Sequence, residues 1–182
     1  VAETPLAREL ICESEGALRF LERWHAESAL VADQGAMALI TAVCDSNERW
    51  VKRLLHAGAD PRREVRSLGP QYEVKWRTTA LQEGVMKATF RVLLLLGVRK
   101  TDDFDTLLQA ACWDYDLAKI KHVITRTGKL NDKNGGSTAL LLCLRGLGMW
   151  HHFSHGARAR QAWDTTAKLA EMGARFVPDA EE

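Results

Sequence analysis

The sequence predicts an all-α protein, a solenoid of stacked helix–turn–helix units joined by extended turns or hairpins. Three observations lead there. Short apolar-periodic stretches come in pairs, and most pairs are closed by a glycine. Helix-opening leucines recur at a near-regular interval. No strand-rich region interrupts them. The clearest unit is Gly35 to Asp60, GAMALITAVCDSNERWVKRLLHAGAD. Its first helix carries Leu39 and Ala42; its second carries Val51, Leu54 and Leu55 and stops at Gly58. Neither helix has enough apolar surface to stand alone, so the unit must stack on others like it.

Taken in order, Thr4-Pro5-Leu6 opens a helix to about Glu13, with Thr as N-cap and Pro in the first turn. A second runs from about Glu15 to His25 on Leu18, Phe20, Leu21 and Trp24, and Ala26 to Gln34 crosses to the next unit. Helices over about Met37–Cys44 and Asn47–His56 follow, ended by Gly58 and by Pro61, which blocks extension. Arg62 to Arg77 is a long connection with a turn at Gly69-Pro70; Gln71 to Trp76 alternates loosely, as one arm of an extended hairpin would. Helices are then expected from Thr78-Thr79-Ala80-Leu81, over Ala88–Leu96 up to Gly97, from Thr106 to Cys112, over Asp116–Thr127 up to Gly128, from Thr138 to Leu144, and over Ala157–Met172 up to Gly173. Asn131 to Ser137 is a turn by composition, and Gly146 to Gly156 breaks the pattern.

The opening leucines are Leu6, Leu39, Leu81, Leu107 and Leu140, spaced by 33, 42, 26 and 33 residues. A period near 33 residues made of a turn and two helices resembles the ankyrin repeat. The resemblance is carried by Thr4-Pro5-Leu6, by Leu39-x-x-Ala42 with Val51-x-x-Leu54-Leu55-x-x-Gly58-Ala59-Asp60, by Thr79-Ala80-Leu81, by Leu107 with Gln109-Ala110-Ala111, and by Gly136-Ser137-Thr138-Ala139-Leu140. It implies one domain over 1–182 in five degenerate repeats, about 4–32, 33–61, 62–100, 101–130 and 131–176. It also implies that Leu93–Leu96 pack on all sides as core. The divergent repeats, many Arg and Ala, and irregular insertions are closer to bacterial than to metazoan members.

Composition narrows the function classes. The chain has 182 residues, is 46% hydrophobic and 27% charged, and has a formal charge of +1, so no whole-protein field draws it to nucleic acid or anionic lipid. Its longest apolar run, Val92 to Leu96, is far short of a membrane span. It opens on Val without a secretory leader, so the expectation is a cytoplasmic protein, processed or excised from a longer chain. Cys12, Cys44, Cys112 and Cys143 form no CxxC pair and read as free, buried, small apolar side chains; a disulfide framework would want closer, paired spacing.

Enzyme signals are weak. Gly135-Gly136-Ser137-Thr138 lacks the Lys of a P-loop and the second glycine of a nucleophile elbow, no HExxH occurs, and Asn131–Asn134 lacks the carboxylates of a calcium loop. No catalytic residue, cofactor or metal is assigned. His151, His152 and His155 could ligate a transition metal only if that segment were helical, and it reads better as a partner-facing loop with aromatic anchors Trp150 and Phe153.

The ankyrin resemblance implies a working surface of turn tips and the exposed side of the first helices. Mapped onto this chain, that strip takes in Gln34, Cys44, Asp45, Met86, Lys87 and Cys112. The expected partner-binding residues are Arg63, Arg66, Tyr72, Lys75, Trp76, Arg77, Asp103, Trp113, Tyr115, Trp150, His151 and Phe153. Large aromatics on an exposed strip are what binding hot spots are made of. The Arg62–Arg77 cations and a group of aspartates at 102, 103, 105, 114 and 116 would set orientation. The expected function is non-enzymatic recognition of another protein or peptide, without nucleic acid or membrane. The alternative is the targeting part of a larger bacterial effector, toxin-neutralising or regulatory protein.

Overall fold

A computed structural model describes residues 5–68, 75–103, 107–108, 111–112, 114–128, 130–131, 138–144 and 156–175. The backbone is mainly helical, with one two-stranded antiparallel ribbon. The chain divides into two compact units, Val1–Gly97 and Val98–Glu182.

The first unit holds helices α1 (Pro5–Ile11), α2 (Glu15–Trp24), α3 (Ala29–Cys44), α4 (Glu48–His56), α5 (Ala80–Met86) and α6 (Phe90–Leu96), and the ribbon of β1 (Val65–Leu68) and β2 (Lys75–Thr78). Their starts are written in the sequence as side-chain caps. Ser14, Ser28, Asn47 and Thr89 each accept a hydrogen bond from the backbone N–H three residues on. Thr79 and Gln82 form a reciprocal capping box at the start of α5. Gly58 (φ +93°) and Gly97 (φ +66°) end α4 and α6 in conformations that suit glycine.

Packing follows a simple order. Helices of one pair touch each other: α1 with α2, α3 with α4, α5 with α6. First helices touch first helices, α1–α3–α5, and second helices touch second helices, α2–α4–α6. The core is correspondingly continuous, with Leu10, Leu21, Leu39, Val43, Val51, Leu54 and Leu93 fully buried. Trp50 of α4 ties two pairs directly: it is buried, and its indole Nε1 donates to the Leu10 carbonyl at the end of α1 at 2.9 Å.

Three expectations are corrected here. Ala26–Gln34 is not a crossing segment; α3 starts at Ala29 behind the Ser28 cap and passes through Gly35 without a break. A side chain at Gly35 would put its Cβ 2.6 Å from Leu21 Cδ1, so the glycine permits close helix approach rather than a helix start. Gln34 does not sit at an exposed tip: it is buried, and its Oε1 accepts from Ala7 N at 3.1 Å, satisfying one orphan donor in the first turn of α1. Leu94 is not core but half exposed, because only Val92, Leu93 and Leu96 of α6 lie on its packed side.

The second unit contains α7 (Leu117–Thr127) and α8 (Gly156–Glu171), with further helical backbone at 107–108, 111–112 and 139–144. Asp116 caps α7 by accepting from Ala118 N and Lys119 N, and Gly128 (φ +74°) ends it. Thr138 Oγ1 accepts from Leu141 N, capping the 139–144 stretch. The core gathers Leu107, Leu108, Cys112, Tyr115, Ile120, Val123, Cys143 and Leu169. The end of α8 is stapled by Asn131, whose amide donates to the Gly173 carbonyl at 3.1 Å and accepts from Arg175 N at 2.7 Å.

Candidate partner-binding surface

In the first unit the C-terminal ends of α3 and α5 and the base of the ribbon converge on one carboxylate, Glu83. Its Oε1 accepts from the Thr78 hydroxyl at 3.0 Å, and its Oε2 accepts from Lys87 Nζ at 2.8 Å and from the Cys44 thiol at 3.8 Å. The Glu83 side chain is 14% exposed and that of Lys87 56%, so the carboxylate is the sheltered centre and the ammonium its outer edge. The arrangement raises the Lys87 pKa, chiefly through the hydrogen bond to Glu83. It also pushes the Cys44 thiol above its ordinary range, first by burial and then by the Glu83 charge. Cys44 is therefore held as a neutral thiol, a hydrogen-bond donor rather than a nucleophile. Exposed Met86, Asp45 and Lys87 surround the cluster.

The ribbon rises beside it. Val65 pairs with Thr78, Arg66 with Arg77, Ser67 with Trp76 and Leu68 with Lys75. Val65 and Thr78 are buried at its base, whereas the Arg77 side chain is 65% exposed and 3.7 Å from the equally exposed Glu64 carboxylate. The cations of the connection thus divide into two sets. Arg63 is spent on the fold: its Nε donates to Asp33 at 2.5 Å and its Nη2 to the Ala29 carbonyl at 3.1 Å, anchoring the connection to the start of α3. Arg62 donates to the Gly97 carbonyl behind α6. Arg77 stands clear of these anchors, in register with Arg66. Arg66 lies on β1 and Lys75 and Trp76 on β2; of the expected arm Gln71–Trp76 only the last two residues are described, and Thr78, expected to open a helix, ends β2 instead.

In the second unit the expected strip loses two members. Tyr115 is a correction: it is 2% exposed and belongs to the core. Its backbone takes φ +54°, and its carbonyl accepts from Thr165 Oγ1 at 3.0 Å and Gln161 Nε2 at 3.4 Å of α8. Cys112, also placed on the strip, is 2% exposed and belongs to the core. Asp103 is exposed. Asp114 and Asp116 are not a loose acidic patch. Buried Lys119 sits with Nζ 3.1 Å from Asp114 and 3.8 Å from Asp116, so one of their two charges is balanced locally. Tyr72, Trp113, Trp150, His151 and Phe153 lie outside the described residues, as do His152 and His155.

Sequence reading missed Glu83 and Lys119, each a polar side chain inside a helix that gathers polar partners around it. It also missed exposed Trp163, at 62%, on the outer side of α8. No helix among the described residues is long and apolar enough to cross a membrane. Among the described residues no three His, Cys, Asp or Glu side chains converge as a metal site. No protein-family model matches the chain, and no curated protein matches it in sequence.

Proposed function

We propose that this chain is an ankyrin-type solenoid whose role is non-enzymatic: it binds a protein or peptide through the face formed by the ends of its first helices and its ribbon. The observation that carries the reading is the packing order of the first unit, α1–α3–α5 beside α2–α4–α6, with a ribbon projecting between the second and third pairs. Stacked pairs of this kind present a long surface in which each unit adds one strip of side chains. On that surface Arg77 and Met86 are exposed, while the Glu83 cluster fixes the base of the ribbon against α3 and α5. A rigid support under exposed long side chains lowers the ordering cost of recognition.

The test is the double variant Arg77→Glu with Met86→Asp, both at exposed positions and compatible with the fold. Proteins that the wild-type chain retains from its native host's lysate should be lost at least about tenfold, roughly 1.4 kcal/mol, with the far-ultraviolet circular dichroism unchanged. Equal retention of the same proteins by both would show that recognition lies elsewhere.

A further inference from the structure

The second unit buries two cysteines together. Cys112 is 2% and Cys143 0% exposed. The Cys112 thiol donates to the Ala139 carbonyl at 3.8 Å, and Cys143 is one helical turn beyond Ala139 on the same stretch, so both sulfurs occupy one pocket of the core. The neighbouring Cys143 thiol, ahead of burial, pushes the Cys112 thiol well above its ordinary range. Both are free thiols, and 112 and 143 bracket α7. Two core cysteines on different helical stretches could each have packed against leucine. Instead the Cys112 sulfur lies against the helical turn that carries Cys143.

We propose that Cys112 and Cys143 are a redox-convertible pair, a modification site that closes to a disulfide across the second unit when the chain meets a peroxide. One sulfur, as thiolate, attacks a peroxide oxygen; the O–O bond breaks and hydroxide leaves, giving a sulfenic acid. The second sulfur then attacks the first, breaking its S–O bond. The peroxide's two oxygens leave as two waters, carrying the two thiol protons and two electrons, and an S–S bond remains. The closed unit resists the first attack, because burial shields both sulfurs and the Cys112 thiol is held protonated. Reaction therefore waits on local opening of the stretches around 111–112 and 139–144 and answers sustained rather than brief oxidation. Once formed, the bond closes a loop containing α7 and restricts the unfolded chain.

The experiment uses the full native chain with hydrogen peroxide, followed by alkylation, non-reducing digestion and mass spectrometry. Exposed Cys12 is the internal reference for oxidant access. The expected result is early oxidation of Cys12, then a linked Cys112–Cys143 peptide that dithiothreitol reverses. The oxidised chain should also melt higher than the reduced one by about 5 °C, a shift absent from Cys143→Ala. The peptide map of the wild type decides the matter even if that variant folds poorly. Absence of the linked peptide after peroxide exposure sustained well beyond full oxidation of Cys12 overturns the proposal. So does linkage that appears only after the chain has been denatured.

Discussion

At the scale of single residues, buried and half-buried polar groups determine most of what is particular here. Glu83 accepts three donors from three elements: Thr78 on β2, Cys44 on α3 and Lys87 just past α5. The exposed ammonium contributes little, because water and salt screen it. The hydroxyl and thiol are more sheltered, and leaving them without an acceptor is the larger effect. Glu83→Ala should cost about 1–3 kcal/mol of stability, read as a lower urea midpoint. Glu83→Gln, which keeps an acceptor, should lose less. His122 gives a pH dependence of known sign. Burial first, and the nearby Arg126 charge second, hold its pKa below the ordinary 6.5. Between that folded value and 6.5 the unfolded chain binds more protons, so stability rises with pH through the window and is lost as pH falls through it. Thermal melts of the wild type from pH 7 to 5 should show a decline that His122→Gln flattens; an identical decline in the variant would remove His122 as its source.

At the scale of elements, helix starts and stops were legible because their causes are local. Ser14, Asn47, Thr79, Thr89 and Asp116 cap the residues that follow them, and Gly58, Gly97 and Gly128 end helices through their own positive φ. What misled was glycine inside a helix. Gly35 read as the start of a unit, yet it and Gly84 both mark close approach. A Cβ on Gly84 would lie 2.5 Å from Leu96 Cδ1, as one on Gly35 would lie 2.6 Å from Leu21 Cδ1. Helix propensity alone favours replacing them, by about 1 kcal/mol for Ala. A β-branched side chain adds bulk that the packed leucines cannot vacate. Gly84→Val should therefore destabilise by about 1–3 kcal/mol, the overpacking outweighing the propensity gain. A melting temperature at or above wild type would mean that α5 and α6 separate easily. The ribbon was legible only in part. Loose alternation and Gly69-Pro70 indicate a hairpin, but its register, Arg66 opposite Arg77, depends on how Val65 and Thr78 bury at its base.

At the scale of the whole molecule, apolar periodicity was enough to predict a mainly helical chain, and that is what the backbone is; the first unit also shows its helices in pairs. The candidate surface was less legible. Position in a repeat indicates which side chains can reach solvent, and Arg77, Met86, Lys87 and Asp103 do. It does not indicate which are consumed by folding. Arg63 and Asp33 lie far apart in sequence, as do Gln34 and Ala7, and nothing local announces either contact. Tyr115 looks like an exposed anchor beside Asp114 and Asp116 until its turn is seen to point it inward, with Lys119 drawing both carboxylates to itself. By itself, then, the sequence determined what depends on neighbours along the chain: helix content, caps, glycine stops and the pairing of helices. Tertiary structure alone decided which charges anchor the ribbon, that Glu83 gathers three elements, and that Cys112 and Cys143 share one pocket. The physical reason is that helix signals repeat every few residues, whereas a buried polar contact is fixed by a partner whose distance along the chain carries no period.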